Sequence, residues 1–205
     1  DSNNDRVVGT QQYTNPTTFS LETWIRTTDT NGGRIIGFGD STGQTSSNYD
    51  RHLYLLADGR LRYGVWIGSA ATIDSPQAVN DGQWHHVVVT QQPGEQKMYV
   101  DGVAVATGTA SAQQNYSGYW RLGADNIWSG DRHYRGLIDE AAVYSSVLSP
   151  ATVLSHWTAA GGLAPNVNPT ASFTAGAVDL AAAFDASGST DPDGTRAVVT
   201  CGWWE

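Results

Sequence analysis

Two adjacent carboxylates in an apolar run, Asp139-Glu140 within Gly136-Leu137-Ile138-Asp139-Glu140-Ala141-Ala142-Val143-Tyr144, are the residues of this chain best placed to do chemistry. On a period of two, Asp139 shares a face with Leu137, Ala141 and Val143, and Glu140 with Ile138, Ala142 and Tyr144. Both faces are apolar, so one of the two carboxylates is expected to be largely buried. A buried carboxylate needs a cation, an arginine or backbone N–H groups as partner; Arg6 and Arg135 are the arginines considered. A second group, Asp125, Asn126, Trp128 and Asp131, sets one indole among side-chain oxygens in a polar loop, and Tyr49 and Asp50 of an earlier long loop can extend it. A sugar calls for that mixture, a flat apolar surface for its C–H face and fixed polar groups to read its hydroxyls. Trp128 could equally cap the end of a sandwich. His85 and His86 are neighbours on a strand, point to opposite faces and cannot share one metal ion; packing beside Trp84 is the expected role.

The elements that position these groups read as strands. Gln83–Ala106 is the clearest stretch: Trp84–Thr90 is β-branched and aromatic, Pro93-Gly94 turns it, and Gln96–Val100 leads into Asp101-Gly102, a two-residue hairpin signal with positive φ at both positions. That register pairs Val100 with Val103 and Met98 with Val105. A second Asp-Gly hairpin spans His52–Trp66; with Asp58-Gly59 as its loop, Leu56 faces Leu61, Tyr54 faces Tyr63 and Leu55 faces Arg62. Phe19–Arg26 is a strand with Phe19, Leu21, Thr23 and Ile25 on one face, Arg34–Phe38 is another, and Gly39–Asp50 is a polar loop too long for a tight hairpin. Tyr119–Ala124 and Tyr134–Tyr144 are the last strands, with a polar loop between them. Ser149-Pro150 then starts a short helix that Gly161-Gly162 ends.

Composition agrees with an all-β chain. Among 205 residues there are 8 Trp, 9 Tyr and 23 Gly, with only 15% charged residues. The formal net charge of −9 argues against nucleic acid, whose phosphates require clustered Lys and Arg. No run of about eighteen apolar residues is present to insert into a membrane. A single cysteine, Cys201, excludes an internal disulfide.

Several of these motifs together resemble a known family. Trp84-His85-His86-Val87-Val88-Val89-Thr90 followed by Met98-Tyr99-Val100-Asp101-Gly102, the opening Asp1-Ser2-Asn3-Asn4-Asp5-Arg6-Val7-Val8, the strand Phe19–Arg26, Gly136–Tyr144 and the closing Ser-Pro helix are similar to the laminin-G-like group of concanavalin A-like jelly rolls. The resemblance implies a two-sheet antiparallel jelly-roll sandwich over residues 1–160 with a short C-terminal helix. It also implies a structural calcium ion, held by Asp139 with Asp1 or Asp5, as calcium takes six to eight oxygen ligands. After a linker at 161–169, GGLAPNVNP, the run PTASFTAG, an expected strand Ala177–Phe184 and DASGSTDPDG resemble the start of a PKD domain. Residues 170–205 are too few for a whole Ig-like sandwich, so this segment is expected to be truncated.

Enzyme signatures are missing. Glycosidases of the resembling group carry an E-x-D-x-x-E strand that puts two carboxylates on one face; here the pair is adjacent and diverges. No G-x-S-x-G, H-E-x-x-H, Walker or dinucleotide motif occurs. The expectation is a non-catalytic, calcium-assisted glycan-binding or adhesion module of a secreted or cell-surface multidomain bacterial protein, its partner a glycan or cell-surface polysaccharide. A structural spacer or protein-contact module is the alternative.

Overall fold

The computed structural model describes residues 6–43 and 45–163 in full and, beyond them, the backbone of 174–178 and 181–185. Two compact units divide the chain, Asp1–Leu163 and Ala164–Glu205. The first contains β1 (Arg6–Val8), β2 (Tyr13–Thr14), β3 (Phe19–Arg26), β4 (Gly33–Gly39), β5 (Tyr49–Leu55) and β6 (Arg60–Trp66). There follow β7 (Ala70–Ala78), β8 (His85–Gln92), β9 (Glu95–Val100), β10 (Val103–Gly108), β11 (Ser117–Gly123), β12 (Leu137–Tyr144) and α1 (Pro150–Ala159).

These strands form two antiparallel sheets, the sandwich expected. One is seven-stranded, in the order β1-β11-β4-β5-β6-β7 with β2 pairing β11; the other is five-stranded, β10-β9-β8-β3-β12. Alternation decides what lies between them. Phe19, Leu21 and Ile25 of β3 and Val87 and Val89 of β8 point inward, against Phe38, Leu53, Leu55, Tyr63 and Trp120 of the other sheet. Phe19 meets Trp120 edge-on at 4.9 Å, a geometry that suits the ring quadrupoles. Edge strand β7 holds Pro76, whose missing N–H suits a strand with a free side.

The β9–β10 turn is the one anticipated: Asp101 and Gly102 have φ of 52° and 80°, and Val100 pairs with Val103. Beyond it Val105 is bulged, so Met98 faces Ala106 instead of Val105. The β5–β6 hairpin corrects the expected register by one residue. Leu55 pairs with Leu61, Leu53 with Tyr63 and Tyr54 with Arg62, because the loop is longer than two residues. Gly59 donates to the Leu56 carbonyl at 3.0 Å and Leu56 to the Arg60 carbonyl at 2.7 Å, with Gly59 at φ 82° absorbing the extra residue as a bulge. The shift puts Leu55 in the core and turns Tyr54 out.

Helix α1 begins as its caps dictate. The Ser149 hydroxyl accepts from the Thr152 N–H at 3.1 Å, Pro150 is the first helical residue, and Gly161 at φ 91° follows the end. Its fully buried Val153 packs on Val88 and Tyr99, covering the outer face of the five-stranded sheet. In the second unit β13 (Thr174–Val178) pairs antiparallel with β14 (Ala181–Asp185). Residues 177–184, expected as one strand, are therefore shared between two, each supplying the backbone partners the other lacks. The rest of the PKD-like run lies outside the described residues.

Candidate functional site

The outer face of the seven-stranded sheet gathers most of the aromatic and polar residues singled out above. On β5 the pleat sends Leu53 and Leu55 inward and His52 and Tyr54 outward. The Trp128 ring stands edge-on to His52 at 4.3 Å and 6.0 Å from Trp66; Tyr49 is 5.9 Å from His52. Gly64, paired with His52, makes this possible, because a Cβ there would meet the Trp128 ring and the neighbouring Thr72 methyl. Trp66 is 38% exposed, Tyr49 and Trp128 are half-buried, and His52 is fully buried. Burial, reinforced by the nearby Arg34 charge, holds the His52 imidazole well below its ordinary pKa. His52 is thus a neutral flat support, and the outcome is a strip of rings with Trp66 and the free side of Trp128 open to solvent.

The acids expected to read a sugar have other work. Asp125 is fully buried between Arg34 and Arg121, 3.0 Å from each, and accepts from the Ser46 N–H and hydroxyl at 2.7 and 2.8 Å. Burial lowers the Arg34 guanidinium to about 10 and the adjacent Asp125 opposes that fall. Asn126 donates its side-chain amide to the Ser46 carbonyl at 2.9 Å, so the same network pins the 40–48 loop to the 124–136 loop. Asp50 is also fully buried: it pairs with Arg51 and accepts from the Tyr116 hydroxyl and the Trp66 N–H, each at 3.0 Å. Arg51, at φ 50°, lies 5.3 Å from the centres of the Phe38 and Tyr116 rings. Neither carboxylate can meet a ligand directly. Both fix the main chain that carries Trp66 and Trp128. Asp131 is half-buried; burial acts to raise its carboxyl, but the His133 backbone N–H, Arg135 and the His133 ring outweigh it and hold it at about 2.

Asp139 and Glu140 correct the opening expectation. Both are exposed. Pairing of β12 with β3 runs Leu137↔Arg26, Ile138↔Ile25, Asp139↔Trp24 and resumes at Ala142↔Glu22, with Glu140 at φ 50° in the irregularity between. The extra residue changes the phase of the alternation, so Asp139 lies on the outer face before it and Ala142 and Tyr144 after it. Neither carboxylate enters the core. The arginines considered as partners are not bonded to them: Arg135 pairs with Asp131 at 2.7 Å and Asp29 at 3.3 Å. Arg6 lines a recess between β1 and β12 that Asp139 and Glu140 also line.

That recess is where calcium is expected. Among the described residues no three His, Cys, Asp or Glu side chains converge as a metal site, and one Asp139 oxygen already accepts from the Glu140 N–H at 2.9 Å. Two exposed carboxylates beside an arginine fall short of six to eight oxygens. Completion would rest on Asp1 and Asp5, which lie outside the described residues.

One polar cluster escaped sequence reading. Glu22 of β3, 6% exposed, receives hydrogen bonds from His86 Nε2 at 2.7 Å, the Tyr144 hydroxyl at 2.6 Å and His156 Nδ1 at 2.8 Å. Burial acts to raise its carboxyl, yet those hydrogen bonds hold it at about 2. It ties β3, β8, β12 and α1 together, with Trp24 stacked on Trp157 at 5.4 Å beside it. His85 is held apart from this cluster by Asp101, 2.8 Å from its Nδ1, so the two histidines do diverge.

Comparison with known proteins points one way. The family model described as the concanavalin A-like lectin/glucanases superfamily matches residues 1–154. The chain is similar to a heptameric SAP-like pentraxin from Limulus polyphemus, at 18% identity and TM-score 0.56 over 73% of each chain. It is also similar to domains LG4-5 of the mouse laminin α1 chain, at 21% identity and TM-score 0.55, covering 71% of this chain and 40% of that one. A third is the CBM40 of Ruminococcus gnavus IT-sialidase bound to α2,3 sialyllactose, at 21% identity and TM-score 0.52, covering 69% and 83%. At such identities the likenesses show the fold.

Proposed function

From the premise that this chain belongs to the concanavalin A-like lectin/glucanase superfamily, we propose that its first unit is a non-catalytic glycan-binding or adhesion module of a secreted or cell-surface multidomain protein. The observation that carries the reading is the strip Tyr49–His52–Trp128–Trp66 on the outer face of the seven-stranded sheet, held by buried arginine–aspartate pairs. Rigid aromatic platforms suit sugar C–H faces, since little conformational entropy is lost when a ligand settles on them. Asn126 and the Tyr49 hydroxyl are the polar groups proposed to select the sugar. Structural relatives that hold sugars, such as the sialyllactose-bound CBM40, support this reading.

No catalytic role is proposed. Glu22, the most strongly perturbed carboxylate, is held ionised by three partners and has no proton to donate at neutral pH. Calcium is kept as a proposal that depends on Asp1 and Asp5 joining Asp139, and the second unit is proposed to be the start of a PKD-like domain. The packing of Trp128 on Gly64 and His52 favours a spacer module as second reading, since it would also close the sheet face. A glycan array run with the protein, Trp66→Ala and Trp128→Ala separates the two. Specific binding lost in both variants is expected; binding to no glycan, or binding equal in all three proteins, would favour the spacer.

A further inference from the structure

A groove of about 710 Å³ lies on the opposite side of the sandwich, over the outer face of the five-stranded sheet beside α1. Trp24, Trp84, Asp139, Glu140, Tyr144 and His156 line it, and no lysine or arginine does. Trp84 is 36% exposed. The ionised Glu22 carboxylate forms part of the floor, with its hydrogen-bonding capacity filled from below and from α1. The walls therefore combine indole surface with negative charge, and Asp139 and Glu140 bring carboxylates that no arginine or lysine ion pair neutralises among the described residues.

We propose that this groove binds an amino sugar bearing a free ammonium group, as a unit of a cationic polysaccharide. Three features select that class. Indole faces attract both a sugar's C–H face and an organic cation. Asp139 and Glu140 provide charge-assisted acceptors at the rim for the ammonium. An extended peptide is disfavoured at the same place: adding a strand to the β12 edge requires a continuous ladder, and the irregularity at Glu140 interrupts it beside the groove. A ligand recognised by side-chain surfaces alone is what remains. The proposal stands independently of the ring strip on the other sheet, which Trp66→Ala and Trp128→Ala test.

Titration calorimetry of the full chain with a fully deacetylated glucosamine hexamer tests it. Binding is expected to weaken with added salt, and the N-acetylated hexamer, which lacks the charge, is expected to bind at least about tenfold more weakly. Trp84→Ala should reduce affinity about tenfold or more. Since Trp84 also packs near the start of β8, the isosteric pair Asp139→Asn and Glu140→Gln provides a second route, each expected to weaken binding about threefold to tenfold. Glu95→Gln removes an exposed carboxylate at the distant β8–β9 turn and is expected to leave affinity unchanged. Equal binding of both hexamers, no binding of either, full affinity in the Asp139 and Glu140 variants, or equal binding of an oligolysine of matched charge would each overturn the proposal.

Discussion

Replacing Glu22 with glutamine removes the charge on which four elements converge, and its effect can be worked from the structure. The folded carboxyl stands at about 2 against an ordinary value of 4.5. At about 1.4 kcal/mol for each unit, the ionised form contributes about 3 kcal/mol to the folded state. Because the folded value is depressed, that contribution is present in full above about 4.5 and is lost as pH falls towards about 2, where the folded carboxyl also takes up its proton. Urea denaturation followed by tryptophan fluorescence, for both proteins at steps from pH 7 to pH 2, gives the difference directly. Glu22→Gln is expected to be less stable by about 3 kcal/mol at pH 7, with the difference shrinking through the acid window to near zero. Other carboxylates titrate there as well, so the difference between the two proteins is the quantity that counts. A gap that stayed constant from pH 6 to pH 2, or one below about 1 kcal/mol at neutral pH, would refute the reasoning.

Asp125→Ala leaves Arg34 and Arg121 facing each other in a buried site, and should lower the stability of the first unit by about 3–5 kcal/mol; an unchanged denaturation midpoint would show that the pairs contribute nothing. Gly64→Val puts branched carbons where the Trp128 ring lies, so it should shift tryptophan emission and cost about 1–3 kcal/mol, whereas unaltered emission would mean Trp128 does not rest there. For calcium, a melting midpoint raised by the ion, lowered by chelator and unresponsive in Asp139→Asn is expected, because a ligand of the folded state alone stabilises it by mass action. Equal midpoints in chelator and millimolar calcium would remove calcium from the account.

Legibility in the sequence followed the range of the interactions. The Asp101-Gly102 turn and the Ser149-Pro150 helix start were readable because each is decided by a few neighbouring residues. The β5–β6 register missed by one residue because Asp58-Gly59 fits both a two-residue turn and a longer loop ending in a glycine bulge. Glu22 carries no local mark of burial: Phe19, Leu21, Thr23 and Ile25 account for the core face of β3, and the partners that enclose Glu22 on the other, His86, Tyr144 and His156, come from β8, β12 and α1, all remote in sequence. The bulge at Glu140 had no local marker either, since positive φ is uncommon outside glycine, asparagine and aspartate. Signals for the buried acids did exist. Arg51 adjoins Asp50 and Arg121 precedes Asp125 by four residues, although Arg34, the other partner of Asp125, is distant in sequence.

That last contrast decides which acids can face a ligand. In a chain with 20 acidic residues and 11 Lys and Arg, a carboxylate type says little until its partners are known. Asp50 and Asp125 are buried with arginine, Glu22 is saturated by two histidines and a tyrosine, and Asp131 is shared between His133 and Arg135. Each of these spends its hydrogen-bonding capacity on holding protein to protein. Asp139 and Glu140 differ because one irregularity in β12 turns both towards solvent beside Trp24 and Trp84. The same bulge that defeats a period-two reading thus leaves the groove its open acceptors. A variant that deletes Glu140 restores the ladder with Ala141 opposite Thr23 and Asp139 still opposite Trp24 on the outer face; it removes one rim acceptor without burying the other, and should weaken binding at the groove about threefold to tenfold while leaving Trp66 and Trp128 in place.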